Sequence, residues 1–260
     1  MSAPVARHVC LLMLAASAAC AYRVPAGAPP LVTSETSVAL HGHALRLHLS
    51  KPATPASARA LLVYATGDAG WWGKDRDLFA HLATWGYPAV GFSAREYVHH
   101  LGGDRVHPAE VAGDYKAIIR SALSALGLSP ATRPVLIGKS RGAGLSIAAA
   151  VDPPFDAVIG GILAVGLTRE EEYVHGRPHQ PPELAMLQTY ARLADIDAPV
   201  ALIQSTHDGY VPAQEARQLF GPDSASRELV AIESRDHNFA GAVDLLYREM
   251  ERSIGWILHR

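Results

Sequence analysis

From about residue 32 onward, the chain alternates short apolar runs with longer stretches whose apolar residues recur at helical spacing. Residues 38–49 alternate apolar and polar positions around His41-Gly42-His43, which predicts an antiparallel hairpin. Residues 58–65 (ARALLVYA) form an apolar run ending near Gly67, and residues 88–92 (PAVGF) form another. Between them Leu78, Phe79, Leu82, Ala83 and Trp85 fall on one helical face, and Gly86 stops that helix. A long amphipathic helix follows, with Val111, Tyr115, Ile118, Ile119, Ala122 and Leu126 on one side and Gly127 at its end. Residues 134–138, 157–167, 199–204 and 228–232 read as four more strands. A small-residue helix is expected over 143–151. A final helix carries Val243, Leu246, Met250, Ile254 and Ile257 on one face.

Strands apolar on both faces, alternating with amphipathic helices, predict an α/β fold: a mostly parallel central sheet with helices on both faces. In such sheets ligands bind beyond the carboxyl ends of the strands. Residues 168–197 break the alternation and read as a small cap or lid insertion. The rest, residues 32–260, suits one domain. At 49% hydrophobic and 18% charged residues, the chain has enough apolar surface for its own core. Its formal net charge of -2 argues against a dedicated nucleic-acid binder.

The first 31 residues have a different character. Arg7 and His8 precede an apolar run over 9–19, followed by small residues and a Pro/Gly/Ala linker over 20–31. The run is shorter than the roughly 20 residues that span a bilayer. It reads as a secretory signal peptide over 1–19, the alternative being a buried N-terminal helix. Ala16-Ser17-Ala18 fits a small-x-small cleavage site. Ser17-Ala18-Ala19-Cys20 has the outline of a bacterial lipobox, although Ser17 stands where Leu is usual. Either route predicts an exported protein, periplasmic or tethered to a membrane surface through acyl chains on Cys20. Cys10 and Cys20 are the only cysteines, so the exported domain has neither a disulfide framework nor a cysteine nucleophile.

That leaves Ser, Thr, Lys and the carboxylates as nucleophile candidates, and one serine is well placed. Gly138-Lys139-Ser140-Arg141-Gly142 follows the run PVLIG and precedes a helix rich in Gly and Ala. A G-x-S-x-G at a strand-to-helix turn pushes the serine hydroxyl out above the sheet. The alternative is an ordinary β-to-α turn with Ser140 as N-cap. A serine needs a base, and the base needs a third group to fix its tautomer. Asp208 follows the strand PVALIQ and His237 follows ELVAI, in the order nucleophile, acid, base. His207 sits beside Asp208 and is not expected to be the base. Asp236 is a rival acid, ranked below Asp208 because adjacent side chains point apart. Each of Asp208 and His237 also has a plain reading as a loop residue.

The oxyanion of an acyl-transfer intermediate needs backbone donors. The amide of Arg141 is one candidate. The second comes from the loop Thr66-Gly67-Asp68-Ala69-Gly70-Trp71-Trp72, with Asp68 ahead of Ala69; the alternative is a simple glycine-rich turn. Trp71 and Trp72 are candidate substrate contacts. Glu170-Glu171-Glu172 opens the cap and reads either as a solvated acidic turn or, through Glu171, as a partner for a cationic substrate group. His99, His100 and His107 lie in a Gly-containing loop without ligand spacing, so no metal and no cofactor is expected.

Residues 55–258 resemble the α/β-hydrolase superfamily through the G-x-S-x-G turn, the Asp208 loop and the His237 loop. A closer resemblance is to the bacterial AcvB/VirJ virulence-associated family. It is carried by Gly67-Asp68-Ala69-Gly70-Trp71, residues 75–82, Gly86-Tyr87-Pro88, Gly91-Phe92-Ser93, Arg95 and Tyr97. The family's nucleophile turn usually reads G-Y-S-x-G-A, whereas Lys139 and Arg141 flank Ser140 here; Gly142-Ala143 fits. The resemblance implies an exported serine hydrolase acting on an aminoacylated phospholipid such as lysyl-phosphatidylglycerol. A general carboxylesterase or peptidase, and a non-catalytic envelope binding protein, are the alternative expectations.

Overall fold

The computed structural model describes residues 30–53, 59–100, 108–172 and 186–260. The expected leader, Cys20 and His107 lie outside the described residues. The elements run β1 (Leu31–Leu40), β2 (His43–Pro52), β3 (Leu61–Ala65), α1 (Lys74–Thr84), β4 (Ala89–Phe92), α2 (Ala94–His100), α3 (Pro108–Leu126), β5 (Pro134–Lys139) and α4 (Arg141–Ala150). They continue α5 (Pro153–Asp156), β6 (Gly161–Val165), β7 (Glu170–Glu172), β8 (Met186–Gln188), α6 (Thr189–Arg192), β9 (Val200–Ser205), α7 (Ala213–Phe220), β10 (Arg227–Ile232) and α8 (Val243–Leu258).

Eight strands form one sheet in the order β1-β2-β4-β3-β5-β6-β9-β10. The β1–β2 and β2–β4 pairings are antiparallel, and every pairing from β4 to β10 is parallel. β3, β4, β5, β6 and β9 are buried along their whole lengths, as helices on both faces require. One face packs Val63, Leu136, Ala164 and Leu202 against α3 and α4. The other packs Leu62, Ile137, Leu163 and Ile203 against α1 and α8. These strand residues alternate one by one between the faces, the period-two geometry of a pleated strand.

Three local expectations change. Residues 157–167 do not make one strand: Pro153 starts the short α5, and β6 begins only at Gly161. Gly161 has φ of 147°, and a β-carbon there would lie 2.7 Å from the Pro199 carbonyl. His99 and His100 close the helix α2 rather than lying in a loop. The irregular stretch after β6 contains the antiparallel pair β7–β8, with Glu171 opposite Leu187, followed by α6. Among the described residues no helix is long and apolar enough to cross a membrane.

Candidate active site

The site is built where β3, β5, β6, β9 and β10 end. β5 passes directly into α4 through Ser140, whose φ of 50° and ψ of -118° are unusual for a residue with a side chain. Holding such a conformation costs on the order of 1–3 kcal/mol, so the surroundings must enforce it. Two glycines do so. A β-carbon on Gly138 would lie 2.1 Å from the Gly142 carbonyl oxygen, and one on Gly142 would lie 2.1 Å from the Ala65 carbonyl oxygen. Both glycines of the motif are therefore steric necessities of packing strand, turn and helix together. The Ser140 amide donates to the Val165 carbonyl at 2.8 Å, tying the turn to the end of β6. Ser140 stands at the N-cap position of α4, but its hydroxyl makes no capping hydrogen bond.

Asp208 and His237 meet beside this turn, although 29 residues separate them. His237 Nδ1 donates to Asp208 Oδ2 at 2.7 Å. The Asp208 side chain is fully buried. Its Oδ2 also accepts from Gln204 Nε2 at 3.0 Å, and its Oδ1 from the Tyr210 amide at 2.8 Å. Gln204 is held in turn: its Nε2 also donates to the Val211 carbonyl at 2.6 Å, and its Oε1 accepts the Leu167 amide at 3.1 Å. The far nitrogen of the imidazole, Nε2, is buried and has no hydrogen-bond partner among the described residues. One edge of the ring abuts Gly166, where a β-carbon would lie 2.9 Å from Cε1; Tyr210 meets the ring edge-on, centroids 4.9 Å apart. Ser140 and His237 thus both touch the adjacent residues Val165 and Gly166. No hydrogen bond joins them in this structure.

The two rivals face elsewhere. Asp236 accepts the Asn238 and Ala240 amides at 2.9 and 3.1 Å, and the Ala240 bond in particular draws its carboxyl below the usual range. His207 is exposed and lies 3.0 Å from the Ser234 carbonyl through Nδ1.

The loop after β3 approaches the turn from the opposite side. A β-carbon on Gly67 would sit 3.7 Å from that of Ser140. The Gly67 amide turns away and donates to Asp75 Oδ1 at 2.9 Å. The next two amides, of Asp68 and Ala69, find no acceptor among the described residues. Arg141, heading α4, forms an ion pair with Asp68 that clasps the loop to the helix.

Glu171 enters from the cap. It is only 5% exposed, and its carboxyl accepts the Thr168 hydroxyl. Burial raises its pKa, against the opposing pull of the Thr168 hydroxyl and the Arg141 charge. The Asp68 and His237 charges act on it more weakly. Trp71 goes elsewhere: its ring stacks on His48 at 3.8 Å and fills the space over Gly91, where a β-carbon would lie 2.5 Å away. With Trp72, which is 73% exposed, it lines a cleft of about 920 Å³ whose walls include none of Ser140, Asp208 and His237. Among the described residues no cluster of His, Cys, Asp or Glu is arranged to hold a metal.

The comparisons with known proteins agree with this architecture. The family described as bacterial virulence protein (VirJ) matches residues 59–169, from β3 past the nucleophile turn to the start of the cap. An esterase domain from Rhodothermus marinus superposes with a TM-score of 0.58 at 18% identity, covering 85% of this chain and 98% of that one. The esterase Pf2001 of Pyrococcus furiosus gives 0.60 at 15% identity, covering 88% and 93%. An acylaminoacyl peptidase from Pyrococcus horikoshii gives 0.63 at 14% identity, covering 85% of this chain and 41% of that one. By fold the chain is an α/β-hydrolase, and over residues 59–169 it is similar to the VirJ family. Among curated proteins no sequence matches it. At these identities the structural likeness speaks for the fold alone. In an α/β-hydrolase the strand ends, turn and loops described above are where a site is built.

Sequence reasoning missed Gln204, Gly166 and the buried pair of Asp75 and Lys139. Gln204 carried a signal, a polar residue ending the apolar run PVALIQ, but its partners lie on two separate loops, after β6 and after β9.

Proposed function

We propose that the protein is a serine hydrolase acting on carboxylic esters. The observation that carries this reading is the buried Asp208–His237 pair, whose imidazole sits against Gly166, next to the Val165 carbonyl that holds Ser140 in its strained turn. Ser140 Oγ attacks the ester carbonyl and its proton passes to His237 Nε2. Asp208 holds the ring in the required tautomer and stabilises the imidazolium. The amides of Arg141 and Asp68, with Ala69 as the alternative, receive the negative oxygen. His237 then gives the proton to the departing alkoxide, leaving an acyl-Ser140. Water, deprotonated by His237, releases the acid. Hydrogen bonds of this kind often tighten only with substrate bound.

The substrate favoured is an aminoacylated phospholipid such as lysyl-phosphatidylglycerol. The similarity to VirJ over residues 59–169 supports it, and Glu171, a buried carboxyl on β7 held by the Thr168 hydroxyl, is the candidate partner for the ammonium group. In the same reading the protein is exported in a bacterium, with Cys20 lipidated or removed; the mass of the mature N-terminus distinguishes the two.

The test is hydrolysis by the purified protein of lysyl-phosphatidylglycerol and of short-chain nitrophenyl esters, with Ser140→Ala alongside. Cleavage of the lipid, lost in the variant, is the expected result. Cleavage of nitrophenyl esters alone moves the reading to a general carboxylesterase. Undiminished activity without Ser140 sinks the mechanism. No labelling of well-folded protein by a fluorophosphonate points to a binding protein.

A further inference from the structure

The residue before the nucleophile is a lysine, and its side chain does not reach solvent. Lys139 ends β5 with its side chain 10% exposed and its Nζ 3.4 Å from Asp75 Oδ2. Asp75 is also buried, in the first turn of α1, just after the loop that faces Ser140. Its other oxygen, Oδ1, accepts two further bonds: from the Tyr64 hydroxyl at 2.6 Å and from the Gly67 amide at 2.9 Å. Burial and the Asp75 charge push the Tyr64 phenol well above its ordinary pKa, so it stays a neutral donor. A β-carbon on Gly67 would come within 3.8 Å of Lys139 Nζ, so the ammonium lies against the loop as well.

One carboxylate therefore joins the residue before Ser140, the end of strand β3 at Tyr64, the start of α1 and the residue before Asp68. Burying a charged pair is costly, and an apolar pair of similar volume is often as stable. Bulk stability is then a poor explanation for it, whereas orientation is a good one. By drawing the Gly67 amide toward itself, Asp75 sets the peptide planes that follow. The next two amides, of Asp68 and Ala69, have no acceptor among the described residues.

We propose that Lys139 and Asp75 are positioning residues that lock the loop over residues 67–69 to the nucleophile turn, so that its free amides stay aimed at the developing oxyanion. This rests on the serine-hydrolase reading above. Neither side chain is assigned a contact with substrate.

The experiment measures kcat and KM on 4-nitrophenyl acetate, and thermal midpoints, for wild type, Ser140→Ala, Lys139→Met, Tyr64→Phe and the double variant Lys139→Met/Asp75→Asn. Misaimed amides should lower kcat by about 10- to 100-fold in Lys139→Met and leave KM within about threefold. The double variant removes both buried charges, so it should regain thermal stability without regaining kcat. Tyr64→Phe leaves the charge balance intact and should lose a few-fold in kcat, carrying the test if Lys139→Met does not fold. A folded Lys139→Met with wild-type kcat overturns the proposal, as does recovery of kcat in step with stability in the double variant. Unchanged kcat in Tyr64→Phe, where Lys139→Met does not fold, overturns it too. Ser140→Ala as active as wild type instead fails the hydrolase reading itself, and the proposal with it.

Discussion

Two buried carboxylates stand on opposite sides of Ser140, and their surroundings differ in one respect. Asp208 accepts from an amide, a glutamine and an imidazole; Asp75 accepts from an amide and a phenol and faces an ammonium. On the Asp208 side the partner can take and release a proton, and its second nitrogen is left free. On the Asp75 side the partner is a lysine ammonium that ends against a loop. The same local chemistry thus supports a group that must change charge during a reaction on one side, and backbone that must not move on the other. The difference lies in what the carboxylate holds.

The comparison is best broken at the serine. Ser140→Ala should lower kcat by about 10⁴-fold or more, because a hydroxyl has no substitute in the attack; progress curves on a nitrophenyl ester read it directly. Next is Asp208→Asn. It keeps the shape but favours the wrong imidazole tautomer, and should cost about 10³- to 10⁴-fold in kcat while thermal stability changes little. An equal loss from Asp75→Asn would erase the distinction drawn here. Gly166→Ala is a subtler probe. Its φ of 61° and the 2.9 Å approach to the His237 ring leave no room for a methyl group. Displacing the ring should cost about 100-fold in kcat while the fluorophosphonate-labelled serine stays identifiable by mass spectrometry.

The smallest effect expected comes from Glu171. Its folded-state pKa is raised by burial, so its protonated form is favoured in the native protein. The stability it contributes is complete below the unfolded carboxyl value and is lost as pH rises through the folded one. Glu171→Gln should therefore melt progressively higher than wild type as pH rises from about 4.5 to neutrality. Melting curves that stay parallel across that range would contradict it. If an ammonium-bearing substrate binds there, the same variant should also raise KM for it and leave KM for a neutral ester unchanged.

Much of this was legible in the chain before folding. Strands buried on both faces leave continuous apolar runs, and helices leave a 3.6-residue rhythm, so the α/β layering followed from pattern alone. The turn around Ser140 was legible because its glycines are demanded locally: each lies within a few residues of what a β-carbon would strike, or against the neighbouring strand end. The order of Ser140, Asp208 and His237 reflected strand ends, which pattern also marks. The crowding at Gly161 was missed because what a β-carbon there would strike, Ile257 and the Pro199 carbonyl, lies on distant segments.

What only tertiary structure decided was which side chains face one another across distant segments. Sequence could rank Asp208 above Asp236, but only folding aimed the carboxylate at Nδ1 and placed Gln204 behind it. Trp71, a candidate substrate contact by position, turned into the space over Gly91 instead. Lys139 read as a polar neighbour of the nucleophile, yet it found Asp75, 64 residues earlier. The reason is physical: periodicity and turn chemistry act over a few residues, whereas pairing a buried charge depends on which strands lie side by side.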